Sequence, residues 1–191
     1  MTSIITIFKN IKETDTPFYR DISVALDRIK SGANKDIIKN IRQCKDKSDR
    51  NELKKKLPAI CFSGKFNKRN DNSLIKHSGL ICLDFDDYAN KKGMLKEKET
   101  LSKDKYVYSV FVSPSGNGLK VLVKIPEDSD NHVNYFNSLQ NHFQSENFDK
   151  TSKNVSRVCY ESYDPFIYLN LNSSVWTTIE EPEYKEINTH Q

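Results

Sequence analysis

Three aspartates follow directly on an apolar run in GLICLDFDDY, residues 79–88. If this run is a β-strand, its side chains alternate between two faces, so that Asp84 and Asp86 point one way and Asp87 the other. Two carboxylates about 7 Å apart on one strand repel each other unless a cation lies between them. Hard divalent ions such as Mg²⁺ prefer carboxylate ligands, so the pair fits a two-metal centre. The alternative is that these acids only mark the place where the strand leaves the interior for solvent.

The second stretch that can do chemistry is SPSGNGLK, residues 113–120, between two runs with strong β patterns. Gly116 and Gly118 allow the backbone to approach a ligand closely, and N–H groups there can hold phosphate oxygens. Ser115 would add a hydroxyl and Lys120 an ammonium group to the same phosphate. The same residues also suit an ordinary hairpin loop. This is not a Walker loop, because no helix with G-K-[ST] follows.

A third stretch, FDKTSKNVSRVCYESYDP at residues 148–165, combines a carboxylate with several cations. Asp149 follows an apolar residue, and Lys150, Lys153 and Arg157 lead into a strand-like run. Such a carboxylate belongs either to a local ion pair or to a metal centre next to groups that bind triphosphate.

The elements that must position these residues alternate between strand and helix. SIITIFKNI predicts a first strand, and apolar residues at helical spacing predict two helices between Phe18 and Lys56, separated by a break at residues 31–34. Strong β patterns at residues 106–112 and 119–125 predict two strands around the second stretch. This order predicts an α+β fold, with mixed or antiparallel β-sheets flanked by helices.

The charge distribution suggests two kinds of partner. The 191 residues have a net charge of +4, but residues 1–76 have a balance of +9 and residues 77–191 one of −5. The basic part suits a polyanion and the acidic part a cation, unless the lysines only form a solvated helix face. The four cysteines and four histidines show no zinc or disulfide spacing, and we expect His132 and His142 at the surface.

Neither a membrane segment nor a domain boundary is visible in the sequence. No apolar run approaches the roughly 20 residues that span a bilayer, and the N-terminal segment lacks the features of a signal peptide. We therefore expect a cytoplasmic protein without a membrane partner. We expect residues 1–180 to form one catalytic domain, with a basic helical part at 1–56 and a motif-bearing core at 57–170, followed by an acidic flexible tail at 181–191.

These three stretches, in this order, resemble the motifs of the archaeo-eukaryotic primase superfamily. LICLDFDD is similar to its first motif, a hydrophobic strand that ends in D-x-D, and SPSGNGLK to its second, a Ser-Gly turn before a phosphate-contacting residue. FDKTSKNVSRVCYESYDP resembles the third, a hydrophobic-Asp pair followed by a basic residue. The chain looks most like the VirE N-terminal / BT4734-like primase-polymerase branch, found in bacterial and phage proteins and in CRISPR-associated primase-polymerases. The resemblance runs from about Leu57 to Asp164.

The resemblance implies a site that can be stated residue by residue. Two Mg²⁺ or Mn²⁺ ions, and with them catalysis, would depend on three carboxylates: Asp84, Asp86 and Asp149. The nucleoside triphosphate would be bound by Ser115, Gly116, Asn117, Gly118, Lys120 and Arg157. Lys120 stands where many members have histidine; a lysine can neutralise phosphate but cannot act as a neutral proton relay near pH 7. Basic residues would contact the template backbone: Lys54, Lys55, Lys56, Lys65, Lys68 and Arg69.

The implied activity is template-directed synthesis of DNA or RNA from nucleoside triphosphates. A single-stranded DNA or RNA template would be the partner, within a larger replication or CRISPR-associated assembly in some relatives. Two alternatives remain open. In the first, the domain only binds nucleic acid or nucleotides in a phage or mobile-element replication protein. In the second, it is a metal-dependent nuclease, which the SPSGNGLK loop disfavours because hydrolysis needs no triphosphate-binding loop.

Overall fold

Residues 3–179, the part of the chain that the computed structural model describes, contain two four-stranded antiparallel sheets, one two-stranded sheet and five α-helices. The strands are β1 Ile4–Phe8, β2 Phe18–Asp21, β3 Ala59–Cys61, β4 Gly64–Phe66, β5 Leu74–His77, β6 Leu80–Phe85, β7 Val107–Val112, β8 Leu119–Lys124, β9 Cys159–Tyr160 and β10 Tyr168–Leu169. The helices are α1 Ile22–Ser31, α2 Lys35–Gln43, α3 Lys47–Lys54, α4 Lys91–Leu101 and α5 His132–Phe143. The sheets have the orders β2-β1-β3-β9 and β10-β7-β8-β6, and β4 pairs with β5. The predicted α+β fold is confirmed, and the predicted tail at 181–191 lies outside the described residues.

The helices are short. The longest, α5, has 12 residues, and within residues 3–179 none combines the length and the apolar character needed to cross a bilayer.

Strand β6 lies between two apolar clusters because its side chains alternate between them. Ile81, Leu83 and Phe85 pack with residues of α4 and α5. Leu80 and Cys82 pack on the other side, with α1 and the first sheet. Burial of each large apolar side chain contributes about 1.5–3 kcal/mol. This packing on both faces fixes the position at which the acidic end of the strand emerges.

The N-terminal part is more mixed than the sequence predicted. Instead of two helices, the segment from Phe18 to Lys56 contains strand β2 and three helices, and β1 pairs with β3 of the core. Two aspartates start two of these helices. Asp21 accepts a hydrogen bond from the Ser23 N–H at the start of α1, and Asp46 accepts one from the Asp49 N–H at the start of α3. Helices this short are not separated by hydrophobic periodicity alone, which is why one was missed.

The prediction for His132 was wrong. The residue is 2% exposed, and its Nδ1 lies 3.0 Å from Nε2 of His77. It lies on the same face of α5 as Phe136, four residues further on, and that face enters the core. His142, by contrast, is exposed as predicted, and its Nε2 lies 2.7 Å from Oδ2 of Asp104.

Candidate active site

Three aspartates come together at the end of β6. Residues 147–149 run antiparallel beside this end, where the Asp149 N–H donates to the Asp84 carbonyl oxygen at 2.8 Å. The Asp86 N–H donates to the Asn147 carbonyl oxygen, also at 2.8 Å. One carboxylate oxygen from each of Asp84, Asp86 and Asp149 lies within 4.8 Å of the others; Asp84 is buried and the other two are half-buried. Oxygen atoms at this spacing are a suitable ligand set for Mg²⁺ or Mn²⁺.

Asp87 is placed differently from the other two acids of this strand end. Its backbone has a φ of 60°, in the left-handed region, and its side chain is exposed. It lines the cleft in front of the site without joining the group of three carboxylates.

The loop of the second motif touches the acids directly. A Cβ atom on Gly118 would overlap the Asp86 carboxylate and would lie 2.9 Å from the Phe85 carbonyl oxygen. The Ser113 N–H closes the loop by donating to the Gly118 carbonyl oxygen at 2.8 Å. Gly116 has a φ of 78°, which glycine adopts without strain. The loop therefore needs glycine at 118 to lie against the Asp86 carboxylate and glycine at 116 for its backbone conformation, whatever ligand it binds.

Arg42 of α2 braces this loop, a role that the sequence did not indicate. Its guanidinium donates to the carbonyl oxygens of Ser113 at 3.2 Å and Pro114 at 3.3 Å. It also donates to the Tyr163 carbonyl oxygen at 2.8 Å, and its side chain packs across Gly116. Because all of these acceptors are backbone carbonyls, no local sequence pattern marks the arginine that reaches them.

Both carboxylate oxygens of Asp84 have a cationic partner. Lys120 lies directly opposite Asp84 in the β6–β8 register, and its Nζ is 2.7 Å from Oδ1. The Nη2 of Arg157 is 3.2 Å from Oδ2 of Asp84 and 3.5 Å from Oδ2 of Asp149. The structure thus places both predicted phosphate-binding cations on the acids themselves. A divalent ion that binds Asp84 is therefore repelled by both cations and competes with them for the carboxylate oxygens.

The pKa shifts around the site differ in sign. Burial alone would lower the pKa of Lys120, but the attraction of Asp84 outweighs it and raises that pKa above its ordinary value. Burial raises the pKa of Asp86 against the attraction of Lys120, and repulsion from Asp84 and Asp149 adds to the rise. At Asp149 burial would raise the pKa, but hydrogen bonds, led by that from the Ser152 hydroxyl at 2.5 Å, lower it. A divalent cation would relieve the repulsion at Asp86.

An open cleft of about 540 Å³ lies in front of the site, lined by Asp86 and Asp149 but not by the buried Asp84. Ser115 and Asn117 line it from the loop, and Lys150 lines it from the third motif. Helix α3 contributes four polar residues: Lys47, Arg50, Asn51 and Lys54. Acids, a hydroxyl and cations therefore face one space, an arrangement that fits a polyphosphate bound together with divalent cations.

Of the six cations predicted to contact a template, only Lys54 is among the described residues that line this cleft. Burial, and then repulsion from Arg50, lower the pKa of Lys54. The Lys65 ammonium lies 4.6 Å from the centre of the Tyr19 ring. The remaining predicted cations do not line the cleft: Lys55, Lys56, Lys68 and Arg69. The spacing of the α3 residues, three and four positions apart, is the signal that would have found this cationic face.

Comparison with known proteins gives one match. A family model described as BT4734-like, N-terminal domain, which is primase-polymerase-like, matches residues 52–169. No curated protein and no solved structure matches the chain. The matched range contains all three motifs, so the resemblance is confirmed at the level of this family.

Proposed function

Because the chain belongs to the BT4734-like N-terminal domain family, we propose that it is a template-directed nucleotidyltransferase, a DNA or RNA primase-polymerase. It would add nucleoside triphosphates to a nucleic-acid strand along a single-stranded template. The observation that carries this proposal is the group of Asp84, Asp86 and Asp149 at a cleft that also contains the Ser-Gly loop and the cations of α3. Carboxylates for metal and cations for phosphate are the two requirements of nucleotidyl transfer.

We infer that the three carboxylates hold two Mg²⁺ or Mn²⁺ ions. The ligand set fits, because each offers a hard oxygen atom and these atoms lie within 4.8 Å of one another. When bound, the ions would lower the pKa of the primer 3′-hydroxyl and stabilise the pyrophosphate leaving group. Arg157, once released from Asp84 and Asp149, would pair with the triphosphate.

The chain's own residues would bind and orient the triphosphate. The Ser115 hydroxyl and the backbone N–H groups of residues 117 and 118 would donate to phosphate oxygens, and Lys54 would neutralise their charge; the Gly116 N–H already donates to the Ser113 carbonyl oxygen at 2.9 Å. The 3′-hydroxyl gives its proton to water, its oxygen forms a bond to the α-phosphorus, and the bond from that phosphorus to pyrophosphate breaks. Lys120 would hold the Asp84 carboxylate in place, since its raised pKa leaves it no free site for the hydroxyl proton.

We propose that the working unit spans residues 1–180 and therefore begins before the matched range. Arg42 braces the loop from α2, and most of α3, with Lys47 and Arg50, precedes residue 52. A fragment that starts at residue 52 would lack these groups.

Incorporation of labelled nucleotides on a single-stranded template, with Mg²⁺ or Mn²⁺, tests the proposal. We expect extension by the wild type and none by Asp84→Ala/Asp86→Ala. Asp86→Asn and Asp87→Asn form a matched pair of variants in adjacent acids. Only Asp86 belongs to the group of three carboxylates, so Asp86→Asn should lose activity and Asp87→Asn should retain it. Extension that survives in the double variant would refute the proposal.

A second candidate function is a domain that only binds nucleic acid or nucleotides. It is favoured by the two cations on Asp84, which compete with a metal ion for both oxygens. In that case the wild type would bind oligonucleotides but incorporate nothing under any metal condition. Shortening of the labelled strand would instead indicate a nuclease.

A further inference from the structure

A second groove lies across the 113–118 loop from the acidic cleft. It has a volume of about 570 Å³ and shares Ser115 with the cleft. Apolar and cationic side chains line it together, among them Arg42, Lys91, Leu95, Lys98, Tyr163 and Phe166. Apart from Ser115 and Gly116 of the loop, none of the residues that line the groove contacts the triphosphate in the proposal above.

Phe166 is the most exposed large hydrophobic residue in the described part of the chain, at 84%. Its backbone is nevertheless fixed on both sides. Its N–H donates to Oδ1 of Asp164 at 3.0 Å, and its carbonyl oxygen accepts from Nζ of Lys98 at 2.8 Å. Asp164 is itself buried and also accepts from the Val112 N–H at 2.9 Å. Because this backbone is already ordered, stacking of a flat ligand on the ring costs only the rotamer freedom of the side chain.

The groove is positively charged. Among the described residues that line it, Lys98 pairs with the single acid, Asp164, at 2.6 Å, which leaves the charges of Arg42 and Lys91 unbalanced. Lys91 is exposed, has no ion-pair partner among the described residues, and begins α4, where the helix dipole adds positive potential. Cations beside an exposed aromatic ring suit a polyanion that carries flat rings, which describes single-stranded nucleic acid.

We propose that this groove binds single-stranded nucleic acid, with one base stacked on Phe166 and a neighbouring phosphate at Lys91. The strand then crosses the loop at Ser115 and enters the acidic cleft. This inference rests on the proposed function for the strand's role as template or primer. Binding in the groove is measured without any nucleotide incorporation.

Stacking is tested directly with Phe166→Trp. The chain contains one tryptophan, Trp176, which is 8% exposed and gives a constant background. Without divalent ions, oligo(dT) should quench the fluorescence of the new tryptophan. An abasic oligonucleotide of the same length and charge should quench it far less, because it has phosphates but no bases. Equal quenching by the two oligonucleotides, or by free thymidine triphosphate and oligo(dT), would overturn the proposal.

Affinity for labelled oligo(dT), measured by fluorescence anisotropy, gives the second test. Phe166→Ala should weaken binding about five- to tenfold, the lower part of the range for the loss of one stacked base. Leu171→Ala is the matched control, since Leu171 is 68% exposed and does not line the groove. Lys91→Gln should reduce the salt dependence of binding. Equal affinity of Phe166→Ala and Leu171→Ala would contradict the proposal and would favour a different occupant, such as a protein.

The two proposals fail in different ways. Both binding experiments are repeated in the Asp86→Asn background, which removes one metal ligand but keeps the ion pairs of the buried Asp84 and leaves the groove intact. Stacking without incorporation by the wild type would refute the polymerase function and support the groove. Incorporation by the wild type, together with unchanged oligonucleotide binding in the Phe166 variants, would refute only the proposal for the groove.

Discussion

Two of the sites at which the protein buries titratable side chains differ in the partners of those side chains. At the end of β6, Asp84 is 4% exposed and contacts two cations, Lys120 and Arg157. Beside the start of α5, His77 and His132 are 5% and 2% exposed and contact each other. Burial lowers the pKa of His77 to about 4 and that of His132 to about 3, so both rings are neutral at pH 7. The first place holds paired charges and the second holds none.

The difference lies in how easily the partners can be exchanged. The Gly79 N–H donates to Nδ1 of His77 at 3.0 Å, so the proton of His77 is on Nε2 and donates to Nδ1 of His132. That contact has no free position for a ligand. Asp84, in contrast, is held by two long side chains from separate segments, beside an open cleft. A buried carboxylate with replaceable cations suits metal exchange, whereas a neutral ring pair suits rigidity.

Of the variants that test this difference, Lys120→Met is expected to change stability most, because it removes the nearest cation of Asp84. Loss of one partner from a buried ion pair costs about 3–5 kcal/mol, and we expect the lower end because Arg157 remains. In urea, the free energy of unfolding of the metal-free protein should fall by about 3 kcal/mol. Mn²⁺ should restore part of it, because a bound cation replaces the ammonium and stabilises the folded state.

Lys124→Met is the matched control on the same strand. Its ammonium donates to the carbonyl oxygens of Leu171 and Ser173, with no carboxylate involved. The stability of the Lys124→Met variant should therefore respond to Mn²⁺ no more than that of the wild type. If both variants responded equally to Mn²⁺, the metal ion would not be acting at the carboxylate of Asp84 with which Lys120 pairs.

A smaller effect is expected from His132→Leu, which leaves Nε2–H of His77 without its acceptor. An unsatisfied buried donor costs about 1–3 kcal/mol. The double variant His77→Phe/His132→Leu should lose less than the sum of the two single variants, because removal of both partners leaves no orphaned group. Urea unfolding of the four proteins measures this coupling. Mn²⁺ should have the same effect on all four, in contrast to Lys120→Met; a strictly additive cycle would contradict the pairing.

The histidine pair also predicts a pH dependence. Both folded-state pKa values lie below the ordinary 6.5, so the unfolded chain takes up protons that the folded chain does not. The stabilisation is complete above pH 6.5 and is lost as the pH falls through about 4 for His77 and about 3 for His132. The lowered pKa of Asp149 acts below its ordinary 3.8, so it overlaps only the lower end of this range and is common to the proteins compared. Unfolding in urea across this pH range should show a shallower slope in the double histidine variant, and an unchanged slope would count against the assignment.

Strand alternation predicted the shared face of Asp84 and Asp86, because that pattern is local. The contact of Lys120 with Asp84 depends on the register between β6 and β8, which no single segment determines. Asp149 reaches the site only because residues 147–149 add to the edge of β6 through backbone hydrogen bonds, which any side chain permits. For the same reason the bracing role of Arg42 could not be predicted, whereas the helical spacing on α3 was visible in the sequence.

The smallest effect is expected from a charge at the rim of the cleft. Solvent screens the interactions of charges there, whereas burial strengthens those of Asp84. Arg50→Gln should weaken binding of single-stranded DNA by less than about 1 kcal/mol and lower the slope of log affinity against log salt by about 0.7, the value for one phosphate contact. The control is Lys56→Gln, because Lys56 is exposed, close in sequence and absent from the cleft lining. Anisotropy titrations at several salt concentrations measure both slopes. If Lys56→Gln changed the slope as much as Arg50→Gln, template contacts would follow the lysine run predicted from the sequence, and the cationic face of α3 would not be the strand's path.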